Sequence, residues 1–224
     1  MTLAKPINKY IDYIDAPEDT FEQYVEKALK YDFRCVFANL QEYATGRAML
    51  EGSDIILAGA IDFPQGTMTL EEKLARFEEY AACGFTEIDY VLNQESVENR
   101  DFDAIEHEMT TIADFCRERG ITDKVIVEMC KLDGDDVAKR RVCEIALEAK
   151  PGFLKTSTGR SFGGAKLQDV QLMREVLGDA VAIKAAGGIH NYEDALAFIE
   201  AGASALGASA GIAIVEGAPE DERR

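Results

Sequence analysis

The sequence predicts an α/β chain closed into an eight-stranded (β/α)8 barrel, the TIM barrel class, and three observations carry that prediction. Short apolar runs alternate with longer amphipathic segments along all 224 residues, which implies parallel strands joined by right-handed crossovers. The alternation repeats eight times, favouring a closed barrel over a doubly wound open sheet. No Gly-x-Gly-x-x-Gly run follows the first strand, which removes the phosphate fingerprint of a dinucleotide-binding sheet. No linker rich in Pro, Ser or Gly divides the chain. Residues 1–224 are therefore expected to form one barrel domain, with a short charged, solvated tail from about 216 to 224.

The elements follow in order. Ile11 to Ile14 is the first strand candidate, and Pro17 to Thr20 opens a helix with Asp19 and Glu22 at capping-box spacing and Phe21, Val25, Ala28 and Leu29 on one face. Arg34 to Asn39 is the second strand, and a helical stretch runs to about Leu50. Ile55 to Ile61 is the third, closed by the turn Pro64-Gln65-Gly66, with a helix from Thr69 to about Cys83. Glu87 to Leu92 is a strand and Phe102 to Cys116 a helix; Val125 to Met129 is a strand, and the helix from Asp135 to Glu148 sets Val137, Val142, Ile145 and Ala146 between charges. Phe153 to Thr158, a helix near Leu167 to Leu177, Val181 to Lys184, a helix from Tyr192 to Ala201 and Ser204 to Ser209 complete the series, with a short apolar segment from Gly211 to Val215.

A net charge of −18, from 42 acidic and 24 basic residues, repels nucleic acid and anionic membrane surfaces, so neither is expected as a partner. A phosphorylated ligand would need a local cluster of cations. Five scattered cysteines without a Cys-x-x-Cys pair fit reduced thiols. The first residues, Met1 to Pro6, contain no apolar signal core, and no run approaches the ~20 apolar residues of a membrane span. A cytoplasmic protein is expected.

The most informative stretch is Phe153-Leu154-Lys155-Thr156-Ser157-Thr158-Gly159-Arg160. A lysine inside a strand is costly to keep charged, which moves it toward the nucleophilic amine. The hydroxyls and glycine after it suit an anion cradle ahead of a helix. Asp12, Asp62, Asp89, Glu128, Lys155 and Lys184 each interrupt or end an apolar strand run, the places where a barrel collects its reactive groups. A structural ion pair accounts for any one of these charges, but two lysines beside carboxylates at one mouth have a specific use. The second ammonium disfavours protonation of the first and leaves it free to attack a carbonyl. Lys155 is then the nucleophile, Lys184 its charge partner and Asp89 the proton mover. Gly187-Gly188 and the run Gly207 to Gly211 fit phosphate loops after strands seven and eight, or tight turns only. Two histidines, His107 and His190, are too few for a zinc-dependent aldolase, and no metal or other cofactor is expected.

These residues resemble the deoxyribose-phosphate aldolase family over nearly the whole chain. The likeness rests on Lys9-Tyr10-Ile11-Asp12, Phe63-Pro64-Gln65-Gly66, Glu87-Ile88-Asp89, Lys124 to Glu128, Lys184 to Gly188, Ile212 to Gly217 and, most specifically, Phe153 to Gly159. The resemblance implies a TIM barrel lyase that interconverts 2-deoxyribose 5-phosphate with acetaldehyde and glyceraldehyde 3-phosphate through a Lys155 Schiff base. Lys184 would lower the pKa of that lysine and Asp89 would relay protons. Asp12 would lie near the substrate hydroxyl and the second lysine, and Thr156, Gly159, Gly187, Gly188, Gly207 and Ser209 would serve substrate binding. A homo-oligomer, dimer or tetramer, is implied as well. The sequence departs from the family pattern at Arg160, where a lysine is usual; at His190, Ala210 and Phe37, which replace an arginine, a serine and a pocket cysteine; and at Tyr13-Ile14-Asp15. Arg160 is a candidate phosphate ligand, because its planar fork can make paired charged hydrogen bonds. A lysine aldolase for another aldehyde, and a silent sugar-phosphate-binding barrel, are the alternatives.

Overall fold

The computed structural model describes residues 3–160 and 162–223. Met1 and Thr2 of the N-terminal stretch, and Arg224 of the expected tail, lie outside them. Eight parallel strands close on themselves in sequence order: β1 (Ile11–Tyr13), β2 (Cys35–Phe37), β3 (Ile56–Ile61), β4 (Glu87–Val91), β5 (Thr122–Ile126), β6 (Phe153–Lys155), β7 (Ala182–Ala186) and β8 (Ala205–Ala208). The barrel closes where β1 pairs with β8, Asp12 opposite Gly207. The alternation read from the sequence is borne out.

The helices are α1 (Phe21–Tyr31), α2 (Tyr43–Met49), α3 (Leu70–Cys83), α4 (Gln94–Asn99), α5 (Phe102–Arg119), α6 (Asp136–Ala149), α7 (Leu167–Leu177), α8 (Tyr192–Glu200) and α9 (Gly211–Gly217). Their starts follow local chemistry. Thr69 and Glu72 exchange hydrogen bonds in a capping box at α3, while Asp101, Asp135 and Asn191 cap α5, α6 and α8. At α1 the cap lies one residue beyond the expected one. Thr20 and Gln23 form the box, and Asp19 instead accepts from Lys27 at 2.7 Å. β5 begins three residues before the expected Val125, because Thr122 to Lys124 pair with β4 although two of them are charged. α4 was not expected at all. Five polar residues around a lone Val97 show no apolar period, and Asn93 starts the helix by accepting from the Ser96 amide.

Outward-facing strand residues such as Ile88, Tyr90, Val125, Leu154 and Ile183 join Ile105, Met109, Ile112, Val142 and Met173 from the helices in one buried apolar cluster. Removing these side chains from water is the main drive to fold. The opposite strand face carries charge instead. Asp12, Asp89, Lys124, Lys155 and Lys184 are all 4% exposed or less, and register sets Lys155 beside Lys184 and Asp89 beside Lys124. At the C-terminus most residues from Glu216 to Arg223 are exposed but tied down: Tyr31 donates to Glu216 at 2.5 Å, Tyr192 donates to Glu222, and Arg223 Nε donates to the Ala218 carbonyl at 2.7 Å. Among the described residues no helix is long and apolar enough to cross a membrane.

Candidate active site

Lys155 is the last residue of β6, and its Nζ lies 2.6 Å from Asp89 Oδ2. The same oxygen is 2.8 Å from Lys184 Nζ, and Lys124 Nζ is 3.1 Å from Oδ1. One carboxylate therefore serves three ammonium groups. Asp12 faces Lys184 at 2.6 Å, Lys124 at 3.2 Å and Arg34 at 2.6 Å. Glu87 completes the cluster, 2.8 Å from Lys124 and paired with both terminal nitrogens of Arg34. Buried ions survive because each finds an opposite charge within hydrogen-bond reach.

The electrostatics sort the lysines. Burial lowers the Lys155 amine to about 8; Asp89 opposes the shift, and the Lys184 and Lys124 cations add to it. Burial is thus a larger cause than the neighbouring cation anticipated from sequence. Burial also works against Lys124, yet Asp12, Asp89 and Glu87 together hold it well above the ordinary lysine range. For Asp12 and Asp89 burial raises the pKa, but the surrounding lysines outweigh it and keep both carboxyls below the usual range. Asp89 is ionised at neutral pH, so it accepts hydrogen bonds from the ammonium groups around it rather than holding a proton of its own.

A cleft of about 450 Å3 opens above the cluster, and of its members only Lys155 and Asp89 line it. Phe37 and Phe63 also line the cleft; the Lys155 ammonium sits 5.6 Å from the Phe63 ring centre, and Lys184 4.8 Å from that of Phe37. Most of the remaining wall is loop or strand end: Thr158, Gly159 and Arg160 after β6, Ala186 at the end of β7 with Gly187 after it, Gly207 in β8 with Ser209 after it, and Ile14 and Asp15 after β1.

These loops are fixed by backbone contact. Gly159 and Gly187 have φ of +70° and +86°, and a Cβ on Gly159 would stand 2.9 Å from the Gly187 Cα, so the two crossing chains need both glycines. Thr156 Oγ1 accepts from the Ala186 amide at 3.2 Å, and Ser157 donates to the Ala186 carbonyl at 2.6 Å. These two hydroxyls staple β6 to β7. Thr156, a candidate substrate ligand, is thereby buried away from the cleft. Asp12, Lys184 and Gly188 do not line it either. Arg160 is an exposed cation on the wall, and Ser209 is exposed beside it.

Two of the six strand-end charges have other work. Asp62 accepts from the Thr67 and Met68 amides at 3.0 and 2.9 Å and pairs with Lys73 at 3.4 Å, shaping the loop after β3. Glu128 accepts from the Thr158 amide and so braces the loop that follows Lys155. His107 is exposed on α5, and His190 is exposed with its amide bound to Asp194. Among the described residues no group of three or more His, Cys, Asp or Glu is placed to hold a metal ion. Sequence reasoning missed Arg34, Glu87 and Lys124 as members of the cluster. The available signal was a charge at or just before the start of an apolar run, which reads equally well as a solvated strand end.

No family model matches the chain. A deoxyribose-phosphate aldolase of Lactobacillus acidophilus is 41% identical over 204 residues, covering 91% of this chain and 85% of that protein. One of Finegoldia magna is 38% identical, covering 94% and 99%. Among solved structures, the deoxyribose phosphate aldolase of Aeropyrum pernix, described as a unique tetramer, superimposes with a TM-score of 0.81 at 26% identity, covering 94% of this chain and 89% of that one. Full-length similarity at this level, on a closed barrel with a buried lysine cluster at its cleft, has one reading: the chain belongs to the deoxyribose-phosphate aldolase family.

Proposed function

We propose that this enzyme catalyses the reversible aldol cleavage of 2-deoxy-D-ribose 5-phosphate to acetaldehyde and D-glyceraldehyde 3-phosphate, with Lys155 as the Schiff-base nucleophile. The observation that carries the reading is a cleft-lining amine, lowered to about 8, that shares one carboxylate, its only ion-pair partner among the described residues, with two other lysines. Free amine is then present near neutral pH.

Lys155 Nζ adds to the aldehyde carbon of the open-chain sugar, and loss of water from the carbinolamine gives the protonated imine. The imine draws the electron pair of the C2–C3 bond as that bond breaks. The C3 hydroxyl gives up its proton and becomes a carbonyl, so that the C3–C5 fragment leaves as glyceraldehyde 3-phosphate. Protonation of the remaining enamine at C2 and hydrolysis release acetaldehyde and restore the amine. Asp89 relays protons between Lys155 and Lys184, to which it is hydrogen-bonded on one oxygen. Asp12 acts through Lys184. Arg160 and Ser209, with the amides around Gly159, Gly187, Gly188 and Gly207, hold the phosphate.

The residues 1–224 act as a single barrel domain. A cytoplasmic homo-oligomer, dimer or tetramer, fits the tetrameric relative, and the −18 charge speaks against nucleic acid as a partner. The test is cleavage of 2-deoxyribose 5-phosphate with and without a chelator, followed by borohydride with acetaldehyde and peptide mapping. Chelator-independent turnover and a label on Lys155 are expected. Label confined to other lysines sinks the nucleophile, and preference for the unphosphorylated sugar replaces the substrate.

A further inference from the structure

The ion pairs do not stop beneath the cleft. Glu87 is the first residue of β4 and Arg34 the residue before β2, so both lie at the strand-start end of the barrel, opposite the mouth. Arg34 spans two carboxylates there: Nε to Asp12 at 2.6 Å, and both terminal nitrogens to Glu87 at 3.1 and 2.9 Å. Its side chain is 14% exposed, and its guanidinium carbon stands 5.5 Å from the Phe153 ring centre. A continuous chain of ion pairs thus joins the floor of the barrel to Lys155.

The cluster holds four cations, Arg34, Lys124, Lys155 and Lys184, against three carboxylates, Asp12, Glu87 and Asp89. One cation is in excess. Arginine does not release its proton, so the deficit falls on a lysine. Among the described residues Lys124 reaches three carboxylates and Lys184 two, but Lys155 reaches only Asp89. We propose that Arg34 is a positioning residue that, by occupying Asp12 and Glu87 from the floor, presses Lys124 and Lys184 onto Asp89 and leaves Lys155 the most weakly held ammonium. The inference rests on the reading of Lys155 as the nucleophile.

Lys5 and Cys35 flank the pair, and neither forms an ion pair with its carboxylates among the described residues. Lys5 stands near Arg34, and burial first, then Arg34, lowers its pKa; its ammonium lies 4.2 Å from the Tyr10 ring centre. The Cys35 thiol is pushed up to about 12 by burial and is neutral. Facing Lys155 are Asp89 on β4, Lys124 on β5, Lys184 on β7 and the Phe63 ring after β3. The direction of the Lys155 shift agrees with the count.

The test is the pH dependence of kcat/KM for 2-deoxyribose 5-phosphate, run beside the pH dependence of borohydride trapping with acetaldehyde. Arg34→Met leaves three lysines to three carboxylates and should move both rising limbs upward by roughly half to one pH unit. Rate at pH 7 should then fall about three- to tenfold and recover in alkali. Arg34→Lys should restore the wild-type limb. Glu87→Gln leaves four cations to two carboxylates and should move the limb the other way. If either single variant fails to fold, the double variant, which removes the pair together, should return the limb to within about 0.3 unit of wild type. An unmoved limb in Arg34→Met, a rate lowered equally at every pH, or an upward shift in Glu87→Gln would overturn the proposal. Wild-type enzyme that is not trapped at Lys155 would overturn the nucleophile itself, and the two failures are thereby told apart.

Discussion

The lysine side of the cleft, proposed to take the carbonyl, and the glycine side, proposed to take the phosphate, are built from different materials. Around Lys155 the protein uses side chains: three lysines, an arginine and three carboxylates, nearly all buried and each held by at least one partner. Around Gly159 and Gly187 it uses backbone, with a single exposed arginine and an exposed serine as the side-chain contribution. The first region fixes protonation, since moving any charge changes the hold on every lysine. The second fixes shape, since amide donors carry no net charge and do not titrate. In the function proposed, chemistry that depends on one proton would sit where charges are coupled, and recognition of a permanent anion where donors are merely aimed.

The largest effect that tests this contrast is Lys155→Met, which should lower turnover at least ~1,000-fold while the circular dichroism spectrum stays native. Normal turnover in that variant would remove the basis of the comparison. Lys184→Leu comes next. With one ammonium fewer on Asp89, Lys155 is held more tightly, so its pKa rises and the active amine becomes scarcer at neutral pH. The rising limb, set near 8 by the wild-type lysine, should move up by about one to two units, with ten- to hundredfold loss at pH 7 and partial recovery in alkali. A loss equal at all pH values would point to positioning instead.

On the phosphate side Arg160→Ala should raise KM for 2-deoxyribose 5-phosphate about tenfold or more, the scale of a charged hydrogen bond of roughly 1.5–3 kcal/mol. Cleavage of unphosphorylated 2-deoxyribose should scarcely change; equal damage to both would make Arg160 structural.

The smallest effect uses a buried carboxylate outside both regions. Asp123 accepts from the Gly152 amide at 2.9 Å, pairs with no cation among the described residues, and is pushed up to about 6 by burial. An acid whose folded pKa is raised costs stability as pH climbs from its unfolded value near 4 through its folded one. Asp123→Asn should therefore raise unfolding free energy at pH 7 by roughly 1–3 kcal/mol and flatten its fall between about pH 4 and 6 in urea melts. No gain at pH 7 would mean that Asp123 finds a partner in solution.

Much of this was legible in the chain. All eight strands showed as apolar runs, and Lys155, Lys184 and Asp89 showed because an ion within such a run must be paired or used. Arg34, Glu87 and Lys124 did not, since Arg34 and Glu87 stand at or just before the start of a strand and Lys124 just before the apolar run of β5, where an isolated reading gives a solvated end. Barrel closure alone turns those starts inward toward Asp12, which is 112 residues from Lys124 in sequence. The same limit hid the role of Thr156. Its hydroxyl suggested a ligand, but the amide of Ala186, 30 residues on, claims it.

One strand and its loop carry both the amine and the first phosphate-side glycine: Lys155 ends β6, and Gly159 follows four residues later. Thr156 and Ser157 are fastened to Ala186, and Thr158 to Glu128, so every link between them is anchored. The stretch from the base of the Lys155 side chain to Gly159 is then a length of locked main chain rather than an adjustable gap between two domains. With Lys155 as the proposed nucleophile and these amides as the proposed phosphate cradle, such a ruler is expected to select by the number of carbons between aldehyde and phosphate, so that a shorter or longer phosphorylated aldehyde reacts slowly even where its phosphate binds well.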